Sequence, residues 1–220
     1  MSLFEKVKLS KNSPSETLLT SFNPKEEPHA AAVGVYGIDR EKLKMNLFDD
    51  TQTYKNLSKS GEGVVNVVTD PELILKGGLP DIFNRSLGSF DFEMAEEVHA
   101  PYISSADAIF EFKIEEMREK TLEDEIGSSK FFETIGLVKN IKILDKNPNP
   151  IKRSDFYLVE SAVLASKATV AKKKGNTRKF NDIMEEISLF KEKCQKIAPE
   201  SKASDLISDI LGHFGEKIDE

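Results

Sequence analysis

The sequence predicts an α+β protein: a closed or split antiparallel β-barrel followed by a helical C-terminal part. Three observations carry this. Between residues 16 and 144, short apolar or alternating runs read as strands joined mostly by turns, with one short helix among them. After a break at residues 146–150 (KNPNP), the apolar residues recur at helical spacing. Helices do not alternate with strands, and neither GxGxxG nor GxxxxGK[ST] is present, which argues against a parallel dinucleotide-binding sheet.

Taken in order, residues 1–15 are polar and read as a loose arm. Residues 16–22 (ETLLTSF) form a short strand stopped by Asn23-Pro24. Residues 29–38 are rich in Ala, Val and Gly, so this strand is expected to be buried on two faces or to lie close to another backbone. Residues 37–40 turn the chain. In 42–48, Leu43, Met45 and Leu47 alternate with Lys44 and Asn46, the period of a half-buried strand. Residues 51–60 fit a helix closed by Gly61. Residues 63–68 (GVVNVV) are a β-branched run suited to a central strand.

Asp70 caps a short helix with Pro71 in its first position, and Gly77 and Gly78 end it. Residues 79–100 read as irregular, anchored by Phe83, Phe90 and Phe92. A long alternating strand covers 106–117, a turn 121–127, and a returning strand 130–144. Past the break, Tyr157, Leu158, Ser161, Ala162 and Ala165 open a helical part of about three segments. Phe180, Ile183, Met184, Ile187, Phe190, Cys194 and Ile197 continue it, and Leu206, Ile207, Ile210, Leu211 and Phe214 complete it. The expected domains are residues 1–147, the barrel, and 148–220, the helices.

The 220 residues carry a net charge of −7, which argues against general nucleic-acid binding because that requires a basic face. Cys194 is the single cysteine, so no intramolecular disulfide forms, in keeping with a reducing cytoplasm. The N-terminus lacks an apolar run of signal-peptide length, and no stretch is long enough to span a bilayer. The expectation is a soluble cytoplasmic protein that binds neither nucleic acid nor membrane.

The best chemical lead is the helix start Thr51-Gln52-Thr53-Tyr54. A helix start presents N–H groups without intrahelical partners, and its dipole favours an anion. Hydroxyls at that point add donors, so a phosphate fits. Equally, Thr51 could simply cap a surface helix. Asp49 and Asp50 oppose a phosphate unless they turn away or a cation such as Lys44, Lys55 or Arg85 answers them.

Other features are weaker. His29 heads the Ala-rich strand with no partner legible nearby, and reads as a hydrogen-bonding residue at a strand end. His29, His99 and His213 are widely separated and lack metal-ligand spacing, so no metal site is expected. No catalytic residue is identified. Cys194 reads as a core residue of a helix, and the basic run at residues 172–179 as a solvated helix end.

The run PHAAAVGVYG…LKMNLFDDTQTYKNLSKSGEGVVNVVTDPELI resembles the N-terminal half of FMN-binding split-barrel proteins of the flavin-reductase-like type. With SDFYLVESAVLASKATV after the break, the whole chain is similar to the family called domain of unknown function 447. The resemblance implies an FMN-binding split barrel with an attached helical part. It places Ala30, Ala31 and Ala32, headed by His29, against the isoalloxazine, and Thr51, Gln52 and Thr53 at the ribityl phosphate. Lys44 and Phe48 would flank the ribityl chain, and Asn66 would lie near the ring. It also implies a homodimer with the cofactor at the interface. Asp49-Asp50 departs from the neutral or basic residues common in related flavin reductases.

The functional expectation is therefore an FMN-binding flavoprotein, in its enzymatic form an oxidoreductase of unspecified substrate fed by a nicotinamide or deazaflavin donor. The alternatives are a non-catalytic FMN or deazaflavin carrier and an interaction scaffold.

Overall fold

The computed structural model describes residues 14–39, 41–83, 86–124, 127–144, 153–199 and 201–215, together with Val7, Leu9 and Lys11. The chain divides into two compact units. One comprises Met1–Gly77, Ser89–Leu122 and Ser128–Pro148; the other comprises Gly78–Gly88, Glu123–Gly127 and Asn149–Glu220.

The first unit is built on a closed antiparallel barrel, two of whose strands end with residues counted in the other unit. Its strands are β1 (Ser15–Phe22), β2 (Pro28–Gly37), β3 (Lys42–Phe48), β4 (Glu62–Val67), β7 (Ala108–Asp124) and β8 (Gly127–Ile143). They run around the barrel in the order β1-β2-β3-β8-β7-β4, and β4 returns to β1. Closure is set by the register Leu18↔Asn66, Leu19↔Val65 and Thr20↔Val64.

Alternation sorts the side chains as the sequence implies. Leu19, Val35, Leu43, Met45, Leu47, Val65, Phe110 and Phe112 fill the interior, where each large aliphatic or aromatic group contributes roughly 1.5–3 kcal/mol by burial. Leu57 joins them from helix α1 (Gln52–Ser60). Gly61 ends α1 in the left-handed conformation (φ 71°), and its N–H returns to Leu57 O.

Val7 and Leu9, from the stretch read as a loose arm, pack against this core; most of that arm lies outside the described residues. β2 departs from its expected burial on two faces. Ala30 to Gly34 are half-buried, and the close backbone neighbour is Gly77 in α2 (Pro71–Gly78). A Cβ there would lie 3.4 Å from Ala32 N, 3.5 Å from Ala31 C and only 2.2 Å from Leu18 Cδ2. As expected, Asp70 caps α2, accepting from Glu72 N at 2.9 Å.

Two segments differ from the reading of the sequence. The irregular stretch 79–100 contains helix α3 (Pro80–Phe83) and strand β5 (Phe92–Met94), which pairs with β6 (Pro101–Ile103). Three-residue strands are too short to display a period; tertiary hydrogen bonds hold them instead. Thr20 Oγ1 donates to Pro101 O at 2.6 Å, and Ile103 N donates to Asn66 Oδ1 at 2.7 Å.

Most of the turn expected over 121–127 is strand instead, and residues 125–126 lie outside the described residues. β7 continues to Asp124 and β8 resumes at Gly127. Cross-strand ion pairs line this arm, Lys120–Glu133 at 2.8 Å and Lys130–Glu119 at 3.0 Å. β7 pairs with β4 only over Ala108 to Lys113, so its outer half runs past the barrel wall.

The second unit contains α3 and three longer helices: α4 (Arg153–Lys173), α5 (Thr177–Ile197) and α6 (Lys202–Gly215). Small residues on α4 (Ser161, Ala162, Ala165, Ala168, Ala171) are buried with Leu158, which lets its neighbours approach closely. α5 buries Phe180, Ile183, Ile187 and Cys194; α6 buries Leu206, Ile207, Ile210 and Phe214. Phe180 meets Phe214 edge to face at 5.8 Å. The break at 146–150 lies outside the described residues. Among the described residues, no helix is long and apolar enough to cross a membrane.

Candidate functional site

At one end of the barrel, the α1 start meets β1 and β2. Thr51 is the N-cap: its Oγ1 accepts from Tyr54 N at 3.2 Å and donates to Phe48 O at 2.7 Å. One hydroxyl thus fixes both the helix start and the strand that leads into it. Tyr54 then stacks on Phe132 of β8, ring centroids 4.5 Å apart and planes 17° apart, which holds the first turn against the sheet.

Thr53 turns inward and is buried, with Oγ1 3.1 Å from His29 Nε2. His29 is the β2 residue paired with Ser21 of β1. Burial pushes its imidazole below the ordinary histidine range, so neutral His29 stands beside Thr53. Gln52 faces outward and donates from Nε2 to Asn56 Oδ1 at 2.6 Å. Asn56, fully buried, donates from Nδ2 to Ser21 Oγ at 3.2 Å.

Of the ten positions singled out from the sequence, eight fall into three groups; Ala31 is half-buried on β2 and Asn66 stands apart. His29, Thr51, Gln52 and Thr53 come together at the helix start. Lys44 and Phe48 lie on the outward face of β3. The Lys44 ammonium stands 4.5 Å from the Tyr36 ring centroid, and Phe48 is exposed beside Phe131 at 6.0 Å. Ala30 and Ala32 pack against the cluster of Leu18, Ile74 and Ile103 outside the barrel.

Asn66 is not free for a ligand. Its Nδ2 donates to Leu18 O, Thr20 Oγ1 and Val64 O, and its Oδ1 accepts from Ile103 N. This amide is fully buried and joins β1, β4 and β6.

Asp49 and Asp50 are exposed, which lets water screen them. Lys55 reaches back so that its Nζ donates to Asp50 O at 3.2 Å, placing an ammonium at the helix start. Lys130 also feels the Asp49 carboxylate, although Glu119 is its ion-pair partner. Arg85, the third cation considered, lies outside the described residues.

Sequence reasoning missed Ser21 and Asn56. Ser21 sits in a short apolar strand, and Asn56 looks like one polar residue among several on a surface helix. Its position four residues after Gln52 is the one signal available.

The arrangement offers a helix N-terminus, one ammonium, the exposed Phe48 beside a half-buried Phe131, and a strand of small residues. Together these suit a phosphorylated ligand with a flat apolar body. Among the described residues, no group of three His, Cys, Asp or Glu side chains could hold a metal ion.

Residues 15–131 match a family model described as the N-terminal domain of a protein of unknown function, DUF447. The chain is 29% identical over 181 residues to an uncharacterized protein of Methanocaldococcus jannaschii, covering 80% of this chain and 88% of that one. In structure it is similar to an FMN-bound protein of Methanosarcina mazei, with a TM-score of 0.66 and 19% identity. That likeness spans 90% of this chain and 94% of the other, and it is a likeness of fold.

Proposed function

We propose that this chain, which belongs to the DUF447 family, is a flavoprotein that binds FMN on its barrel unit. The observation that carries the reading is the fold, shared along 90% of the chain with a protein whose crystal structure is FMN-bound. The local chemistry agrees. The phosphate lies at the first turn of α1, near Thr51, Gln52 and Thr53, with Lys55 as the nearby cation. Phe48 and Lys44 flank the ribityl chain, and the flat ring lies beside Ala30 to Ala32 on the side of β2 that α2 and the Leu18, Ile74 and Ile103 cluster do not cover.

Asn66, expected near the ring, serves the site from behind. Its amide is spent on four protein groups, so it acts on the cofactor by holding β1, β4 and β6 in place.

Bound flavin carries hydride and electron chemistry itself, while the protein supplies binding, orientation and exclusion of water. The activity we favour is a flavin-dependent oxidoreductase, working as a homodimer with FMN at the subunit interface. The exposed Phe48 beside Phe131 supports such an interface. The lone, buried Cys194 suits the cytoplasm.

The deciding measurement is the visible spectrum of the protein before and after adding FMN. Bands near about 375 and 450 nm that stay with the protein through gel filtration are expected. Protein that stays colourless after incubation with FMN overturns the reading. Anaerobic mixing of the loaded protein with NADH, NADPH or a reduced deazaflavin then separates enzyme from carrier: bleaching of the longer band identifies the donor. Light scattering on the eluting peak reads the dimer.

A further inference from the structure

A polar chain runs inward from the exposed Gln52 at the helix start to Asn56 and Ser21, which are buried and are not among the positions assigned to the ligand. Its geometry is specific. Gln52 Nε2 donates to Asn56 Oδ1 at 2.6 Å, and Asn56 Nδ2 donates to Ser21 Oγ at 3.2 Å. Ser21 is directly opposite His29 in the β1–β2 register, and His29 Nε2 stands 3.1 Å from Thr53 Oγ1. Two strands and two faces of one helical turn are thereby joined. Asn56 and Ser21 are 1% and 0% exposed, so neither touches a ligand in solvent.

Buried polar groups are tolerated when each finds a partner, and a satisfied network fixes one arrangement of the elements it joins. The Thr51 cap, the Tyr54–Phe132 stack and the buried Leu57 seat the helix; Asn56 and the Thr53–His29 contact, on neighbouring faces, fix the remaining roll of its first turn.

We infer that Asn56 and Ser21 are positioning residues for the phosphate of the cofactor: they set the rotation of the first turn of α1, and with it the direction of the Gln52 and Thr53 backbone N–H groups. This rests on the reading of the barrel as an FMN site. Its chemical content is narrower than FMN binding: the network governs the phosphate contribution and leaves the ring contribution alone. Riboflavin, which lacks the phosphate, is therefore the control ligand.

The test uses the full chain and two probes, FMN and riboflavin, titrated by fluorescence quenching into wild type, Ser21→Ala, Asn56→Leu and the double variant. Loss of a buried hydrogen-bonding partner in either single variant is expected to lower FMN affinity about tenfold, with riboflavin affinity unchanged. Both singles also lose thermal stability, because each leaves the other polar group unpaired.

The double variant separates positioning from mere support. With both polar groups gone, stability recovers, yet the ratio of FMN to riboflavin affinity stays low. A ratio that returns to the wild-type value along with stability overturns the inference, as does a ratio unchanged in all variants. If Asn56→Leu does not fold, Ser21→Ala alone reads the ratio. A wild type that binds neither flavin overturns the FMN reading itself; a wild type that prefers FMN while every variant does the same overturns only the positioning role.

Discussion

His29 Nε2 and Thr53 Oγ1 stand 3.1 Å apart and tie the strand of small residues to the helix that closes one end of the barrel. Burial holds this imidazole below the ordinary histidine value of about 6.5. The unfolded chain therefore takes up a proton at this position at a higher pH than the folded chain does. Stability is full above the unfolded pKa and falls as pH drops below it.

The expected outcome is a melting temperature that declines between about pH 7 and pH 5, with a shallower decline in His29→Gln. Thermal melts of both proteins across that range check it. Parallel curves would assign the decline to other groups.

Thr51→Ala removes the N-cap, whose hydroxyl serves both Phe48 O and Tyr54 N. A loss of about 0.5–2 kcal/mol in urea unfolding is expected. FMN retention should fall further when Thr53→Ala is added, since the helix start then loses both hydroxyls. Retention equal to wild type in the double variant would move the phosphate elsewhere.

Asn66→Leu keeps the size of the side chain but strands the amide of Ile103, which donates to Asn66 Oδ1 at 2.7 Å. Destabilisation of about 1–3 kcal/mol is expected from the orphaned buried group. Hydrogen exchange should speed up at Ile103 before it does at Val65 in the barrel wall. Equal acceleration at both would mean that Asn66 supports the whole barrel and not the β6 attachment.

Gly77→Ala places a methyl group 2.2 Å from Leu18 Cδ2 and 3.4 Å from Ala32 N. Leu18 is fully buried and has little room to yield. A cost of about 1–3 kcal/mol is expected, read as a lower denaturation midpoint with an unchanged slope. Neutral behaviour would show that α2 slides along β2 without penalty.

Legibility in the sequence followed element length. The β3 alternation of Leu43, Met45 and Leu47 and the α5 face of Phe180, Ile183, Ile187 and Cys194 were plain, because each spans enough residues to show a period. β5 and β6 were hidden because three residues cannot show one, and because Thr20 and Asn66, over thirty residues away, hold them. At the candidate site, Thr51 was legible as a cap by its place before a helix. The inward turn of Thr53 and its contact with His29 were not, since β2 and α1 meet only through the tertiary fold. The alanines suggested a close backbone approach, but not that Gly77 makes it.

The arm formed where β7 outruns β4 has its own consequence for how the molecule meets copies of itself. Past Ile114, no described strand pairs with the outer side of β7, and an open ladder of N–H and C=O groups is a template for a foreign strand. Here that template carries Glu115, Glu116, Arg118, Glu119, Lys120 and Glu123 in place of an apolar run. Their ion pairs, Glu115 with Lys42, Glu116 with Arg118, Glu119 with Lys130 and Lys120 with Glu133, are screened by solvent and contribute little to folding. Their larger effect is on association: a strand laid against this ladder must desolvate charge, which disfavours edge-to-edge pairing along it.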